Sequence, residues 1–246
     1  MQILENIRKL SIGCNIKAKI FAGNTFERDK VAMKETTKKI LEELLKRYPI
    51  LHELGEKIGK VCEIIKDMYI GNGTLYCAGN GGSASDCEHI VGELLKSFKK
   101  HRAIDDAVAE SLLEFGTDGA YLASALDGAL PAVSLISQVG ILTAFANDKS
   151  WEVAIAQQLY GLGKVGDCLL LLSTSGNSKN CVYVAMLAKA KGIKTIALTG
   201  RSGGALKSIC DECICVPESE TYKVQELHLP IYHCICSMLE EEFFND

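Results

Sequence analysis

Residues 77–93 read CAGNGGSASDCEHIVGE. An apolar strand expected over 74–78 runs into a knot of glycine and serine, and the knot runs into a helix. On that helix His89 and Glu93 stand four residues apart, so they share one face. Glycine lets a backbone turn its N–H groups inward. A helix start adds unpaired N–H groups and the positive end of a dipole. The stretch reads as a cradle for a small anion, with an imidazole and a carboxylate beside it.

The same order of elements recurs downstream. Apolar strands are expected at AVSLI (132–136), CLLLLS (168–173), KTIALT (194–199) and CICV (213–216), and helices over 83–98, 139–146, 151–162, 178–191 and 222–243. Near-continuous apolar strands alternating with helices predict an α/β fold: a parallel five-stranded sheet flanked by helices on both faces. Ahead of it, Leu41, Leu44 and Leu45, then Ile58, Val61, Cys62 and Ile65, recur at helical spacing on either side of Pro49. The expected organisation is an N-terminal helical extension over 1–72, packing on the core or an oligomer interface, and a single domain over 73–246. Residues 1–29 show no pattern. Residues 101–130 are expected to form a helix with a Gly-rich turn, as a lid or an interface.

The chain has 246 residues, 48% hydrophobic and 24% charged, with a net charge of −4. That balance disfavours a nucleic-acid partner, and the basic run Lys99-Lys100-His101-Arg102 reads as a solvated loop. The opening MQILENIRKL has no apolar leader region, so a cytoplasmic location is expected and the eleven cysteines are expected to be reduced thiols. The uncharged stretch 128–147 approaches membrane-span length, but Pro131, Ser134, Ser137 and Gln138 interrupt it. It parses as a buried strand over 132–136 and a buried helix over 139–146, with no membrane partner. Cys210, Cys213 and Cys215 lack a second cluster at zinc-finger spacing, and Cys213 and Cys215 alternate as core-facing strand residues would.

In a parallel sheet, ligands bind beyond the carboxyl ends of the strands. Two loops lie there: Asn80, Gly81, Gly82 and Ser83, then Ser173, Thr174, Ser175, Gly176, Asn177 and Ser178. Backbone N–H groups and hydroxyls in such loops suit a phosphate monoester. The plainer alternative is that Ser83 and Ser178 only cap helices. No Gly-Lys-Ser/Thr occurs, which excludes a Walker loop, and the glycine spacing does not match a dinucleotide fingerprint.

Taken together, GNGGS at 79–83, His89 and Glu93, Asn147-Asp148, STSGNS at 173–178, ALTG at 197–200 and QELHLPIYH at 225–233 resemble the SIS (sugar isomerase) domain family. The resemblance covers about 70–246 and is strongest to its phosphoheptose isomerase branch. It implies a homotetramer with sites built from neighbouring subunits. It also implies a zinc ion held by His89, Glu93, Gln225 and His233. Sedoheptulose 7-phosphate would be isomerised through a cis-enediol, with Glu93 as the base and His233 as the partner acid. Asn80, Gly81, Gly82, Ser83, Asn147, Asp148, Ser173, Thr174, Ser175, Ser178 and Gln225 would bind the substrate. A non-catalytic module that binds a sugar phosphate or a protein partner is the alternative.

The residues themselves bear on this. His89 and Glu93 can converge on one ion, and both suit zinc. Gln225 and His233 are separated by about 80° round a helix and about 12 Å along it, with Pro230 between them removing a hydrogen bond. His228 on the same helix is as plausible as His233 on residue type alone, and His52 and His101 read as structural or solvated. The chain departs from the branch at Lys96-Ser97-Phe98, where a Gly-Arg-aromatic group is usual, and at Tyr222, where an acidic residue is usual. The 101–130 segment is also longer. These departures leave hexose, pentose and other heptose phosphates open.

Overall fold

The computed structural model describes residues 32–244; the patternless 1–29 lie outside them. Chain order is α1 (Glu35–Arg47), a 3₁₀ turn (Pro49–Leu54), α2 (Gly55–Ile70), β1 (Leu75–Gly79), α3 (Gly82–Leu95), α4 (Asp106–Leu113), α5 (Gly116–Ala125) and β2 (Ala132–Ser134). Then follow α6 (Val139–Asp148), α7 (Trp151–Leu162), β3 (Cys168–Ser173), α8 (Lys179–Ala190), β4 (Lys194–Thr199), α9 (Leu206–Ile209), β5 (Glu212–Cys215) and α10 (Thr221–Phe243). No described helix is long and apolar enough to cross a membrane.

The strands form one parallel sheet in the order β2-β1-β3-β4-β5. Every residue of β1 and β3 is buried, because helices cover both faces. Cys77, Leu170, Leu172, Ile196 and Leu198 face α1, α2, α3 and α10. Ala78, Leu169, Leu171 and Ala197 face α7 and α8. The helices read as an extension over 1–72 share the first of these cores through Leu44, Ile58, Val61, Cys62 and Ile65.

From β1 the chain crosses to β2 on one side, and β3 then continues to β4 on the other. The order reverses between β1 and β3, which pair directly from Leu75↔Cys168 to Gly79↔Leu172. A sheet opens a ligand crevice at such a reversal. The two glycine-serine loops leave these two strands there.

Three expectations are corrected. The segment 101–130 forms two helices, α4 and α5, broken at Phe115 by Gly116 in a left-handed conformation (φ 68°). The helix over 139–146 is mostly not buried: Leu142 of α6 is buried and Phe145 partly so, while Val139 and Ile141 are exposed.

The third correction concerns the basic run, which is solvated at Lys99 and His101 but not at Arg102. Arg102 is 0% exposed. Its Nε donates to Glu240 Oε1 at 2.7 Å, its Nη1 to the Leu94 carbonyl at 2.9 Å and its Nη2 to the Glu93 carbonyl at 2.9 Å. Glu240, also buried, accepts from the N–H groups of Phe98 and Lys99 at 2.9 Å each. Burial pushes its carboxyl up, but those N–H groups and the Arg102 guanidinium more than offset this and hold it below the usual range.

Removing one partner of such a pair strands a buried charge, which costs about 3–5 kcal/mol. Arg102→Met is therefore expected to lower the unfolding free energy by about that amount in denaturant titration. Adding Glu240→Leu to it should restore a large part of the loss.

Candidate active site

The first cradle is the turn from β1 into α3. Gly81 holds the N-cap position of α3 at φ 57°, and the Ser83 N–H bonds the Asn80 carbonyl at 3.1 Å. The second is the turn from β3 into α8. There Gly176, at φ 66°, packs its backbone against that of Gly203 and Gly204. The Gly200 N–H donates to the Thr174 carbonyl at 2.9 Å, and the Leu206 N–H to the Gly176 carbonyl at 3.1 Å.

Neither helix start is closed by its N-cap side chain, though Asn180 Oδ1 accepts from the Cys181 N–H in the first turn of α8 at 3.0 Å. Gly81 offers no cap, and Ser178, though at the N-cap of α8, makes no capping hydrogen bond. Neither first turn carries an acidic residue. By contrast, Asp105 caps α4, Ser150 caps α7, and both of those helices carry an acidic residue in the first turn. Ser173 Oγ is buried without a hydrogen-bond partner. An uncompensated dipole and an orphan hydroxyl together favour an anion.

The cradles are tied to each other. Asn80 Nδ2 donates to Asn180 Oδ1 at 2.9 Å, and Asn180 Nδ2 returns to Asn80 Oδ1 at 2.7 Å. The Asn80 side chain thus faces α8, not the open loop. Ser175 Oγ accepts from the Asn177 N–H at 3.2 Å. Asn147 and Asp148 are exposed at the end of α6, hydrogen-bonded to each other at 3.0 Å.

His89 touches two of the other three expected metal ligands. His89 Nε2 lies 3.2 Å from Glu93 Oε1 and 3.5 Å from His233 Nε2. The rings of His89 and His233 are 4.9 Å apart, centre to centre. Gln225 lies one cradle away, its Nε2 3.5 Å from Ser83 Oγ and its amide so close to Gly82 that a Cβ there would collide with it. Among the described residues, no three His, Cys, Asp or Glu side chains yet surround a common point. The pair spacings nonetheless suit zinc: two donors about 2.0–2.1 Å from one tetrahedral ion stand about 3.3 Å from each other.

The surroundings of these ligands were less visible in the sequence. Lys96 Nζ pairs with Glu93 Oε2 at 3.1 Å. Tyr232 packs against both histidine rings, its hydroxyl 3.1 Å from His89 Nδ1 and 3.1 Å from Asp86 Oδ1. Burial, and then the neighbouring His89, hold the His233 imidazole below its usual value, against the pull of Glu93. Asp86, one turn before His89, and Asn180, just after STSGNS, are the signals that point to these contacts.

His228 separates from His233 by burial. It is 0% exposed and neither ring nitrogen has a well-aligned hydrogen bond. His52 and His101 are exposed. The ten cysteines of the described residues are free thiols, and Cys213 and Cys215 face Thr199 Oγ1 at 3.5 Å each.

The SIS domain model matches residues 122–200, which hold the second cradle and three of the five strands. The phosphoheptose isomerase of Akkermansia muciniphila is 35% identical over 189 residues, 77% of this chain and 85% of the relative. That of Sulfurimonas denitrificans is 34% identical over 215 residues, 85% and 97%. A solved phosphoheptose isomerase from Francisella tularensis superposes with a TM-score of 0.65 at 26% identity, covering 85% of this chain and all of that one. The chain belongs to the phosphoheptose isomerase family, sugar-phosphate isomerases of the SIS class.

His228 yields a pH prediction. Burial pushes its imidazole down to about 4 from 6.5, only partly countered by the Thr199 backbone. Below pH 6.5 the unfolded chain takes up a proton that the fold refuses, so stability falls as pH drops towards 4. At pH 5 the loss is about 2 kcal/mol. Unfolding titrations of wild type and His228→Leu at pH 7 and pH 5 should show a loss larger in the wild type by about that amount.

Proposed function

We propose that the chain converts sedoheptulose 7-phosphate to a heptose 7-phosphate, with zinc held by His89, Glu93 and His233 and with Gln225 as the fourth ligand. The contacts of His89 with Glu93 and His233, beside two helix starts not closed by their N-cap side chains, carry this reading. From Ser83 to His89 is about 9 Å of helix, a span that suits a sugar whose phosphate sits at the carbon far from the reacting end.

Isomerisation moves a proton between C1 and C2 through a cis-enediol, and negative charge develops on the sugar oxygens. Bound zinc would polarise the carbonyl and hydroxyl oxygens. Glu93, fixed on α3, takes the proton from one carbon and returns it to the next. His233 would serve as the partner acid at the carbonyl oxygen. Ser83, Ser173, Thr174, Ser175 and Ser178 hold the phosphate, with backbone N–H groups of the 80–83 loop beside them. This remote binding orients the chain end at Glu93.

The protein acts as an oligomer, a tetramer on the family pattern. Phe115 is 75% exposed and Tyr121 69%, and Val108, Leu122, Leu126, Val139 and Ile141 are also exposed. Apolar side chains so abundant on α4, α5 and α6 suit an interface with further copies. Asn147 and Asp148, at the end of α6, would then reach a site shared between subunits. The free thiols fit a reducing cytoplasm.

Purified enzyme is expected to carry about one zinc per chain and to form aldose phosphate from sedoheptulose 7-phosphate. Chelator should remove that activity and added zinc restore it; full activity in metal-free protein would reject the metal's role. Glu93→Gln should lower kcat by at least roughly 10²–10⁴-fold, with sugar-phosphate binding retained. Binding with no turnover of any ketose phosphate in the presence of zinc would make the chain a binding module instead.

A further inference from the structure

We propose that Tyr232 and Asp86 are positioning residues that set the tautomer of His89. They place its proton on Nδ1 and leave the Nε2 lone pair bare towards Glu93 and His233. The inference deepens the reading of His89 as a zinc ligand and rests on it for its purpose, though not for its chemistry.

The argument is a count of protons. A tyrosine hydroxyl has one hydrogen to donate, and an ionised carboxylate has none. Tyr232 Oη lies 3.1 Å from Asp86 Oδ1, so the hydroxyl must donate to Asp86. Only lone pairs remain on Oη for the contact with His89 Nδ1 at 3.1 Å, so Nδ1 must carry the hydrogen. In a neutral imidazole the other nitrogen, Nε2, is then an acceptor.

Nε2 is the atom that meets Glu93 Oε1 at 3.2 Å and His233 Nε2 at 3.5 Å. Facing a carboxylate oxygen with a bare lone pair is unfavourable unless a cation lies between them. The relay therefore prepares the site for an ion and disfavours the tautomer that would close it with an internal Nε2–H to Glu93 hydrogen bond. Its parts are held on rigid elements: Asp86 and His89 are one turn apart on α3, and Tyr232 adjoins His233 on α10. The Tyr232 body is 1% exposed. Its ring packs edge-on against both histidines, at 5.6 Å from His89 and 4.8 Å from His233. Second partners of metal-bound histidines act in this way, and losing one typically weakens metal affinity 10–100-fold.

The test reads the tautomer directly, in full-length metal-free protein at a pH where histidine is neutral. In ¹⁵N imidazole spectra, with His89 assigned by its loss in His89→Asn, wild-type His89 should show a protonated Nδ1 and a bare Nε2. Tyr232→Phe keeps the ring and removes the hydroxyl, and should move His89 towards the Nε2–H form. Asp86→Asn can donate to Oη and turn the hydroxyl round, and should do the same, which keeps the proposal falsifiable if either variant folds poorly. Zinc affinity by competition with a chromophoric chelator should fall 10–100-fold in both variants. A wild-type His89 protonated at Nε2, or a tautomer unmoved in both variants, overturns the relay. Tautomers that move as expected in a protein that binds no zinc uphold the relay and defeat the zinc reading alone.

Discussion

A guanidinium removed from water has to be surrounded by acceptors, and the acceptors around Arg102 come from two helices that lie far apart in sequence. Its nitrogens take the last carbonyls of α3, at Glu93 and Leu94, and the carboxylate of Glu240 on α10. An open helix end and a buried carboxylate are each costly alone. One cation answers both, and it does so only if α3 and α10 end side by side. Glu240 lies seven residues after His233, two helical turns along the same face. The pair that docks the helix ends therefore also brings His233 up to the face that carries His89 and Glu93.

The binding half of the site follows from topology. β1 and β3 are neighbours, and their onward connections leave in opposite directions. Both glycine-serine turns thus open at one crevice, and both run into helices whose first turns lack acidic residues. The Asn80–Asn180 amide pair fixes the spacing of the two turns by side chains buried between them. One turn alone would be a helix start that could be capped by water. Two held at a fixed distance, with Ser173 Oγ unpaired, are what the proposed phosphate site rests on.

Much of this was legible in the sequence. The five apolar runs predict the five strands because a strand buried on both faces has no polar alternation to hide it. His89 and Glu93 declare themselves by spacing. What was not legible depends on partners distant in the chain. Lys99-Lys100-His101-Arg102 reads as a solvated run because Glu240 stands 138 residues from Arg102. The stretch 139–146 reads as a buried helix because its composition is apolar, yet apolar composition does not by itself bury a face. His228 and His233 sit about 140° apart round one helix, and only the direction in which α10 docks decides which of them meets His89. Tyr232 looks like one more core aromatic until its hydroxyl is seen between Asp86 and His89.

On the proposed reading Glu93 is base and ligand at once, so its two oxygens divide the work. Oε1 faces the bare Nε2 of His89, where the ion would lie, and Oε2 meets Lys96. A base needs one oxygen free, and Oε2 is the one that can be released. Lys96 lies just past the end of α3, in extended backbone, on a flexible and mostly exposed side chain, and an exposed ion pair of this kind is worth about 1 kcal/mol or less. Lys96 is thus the partner that an arriving sugar can displace. On the proposed reading Lys96 orients the carboxylate through this contact, and it yields Oε2 when the substrate's own hydroxyls take the ammonium's place.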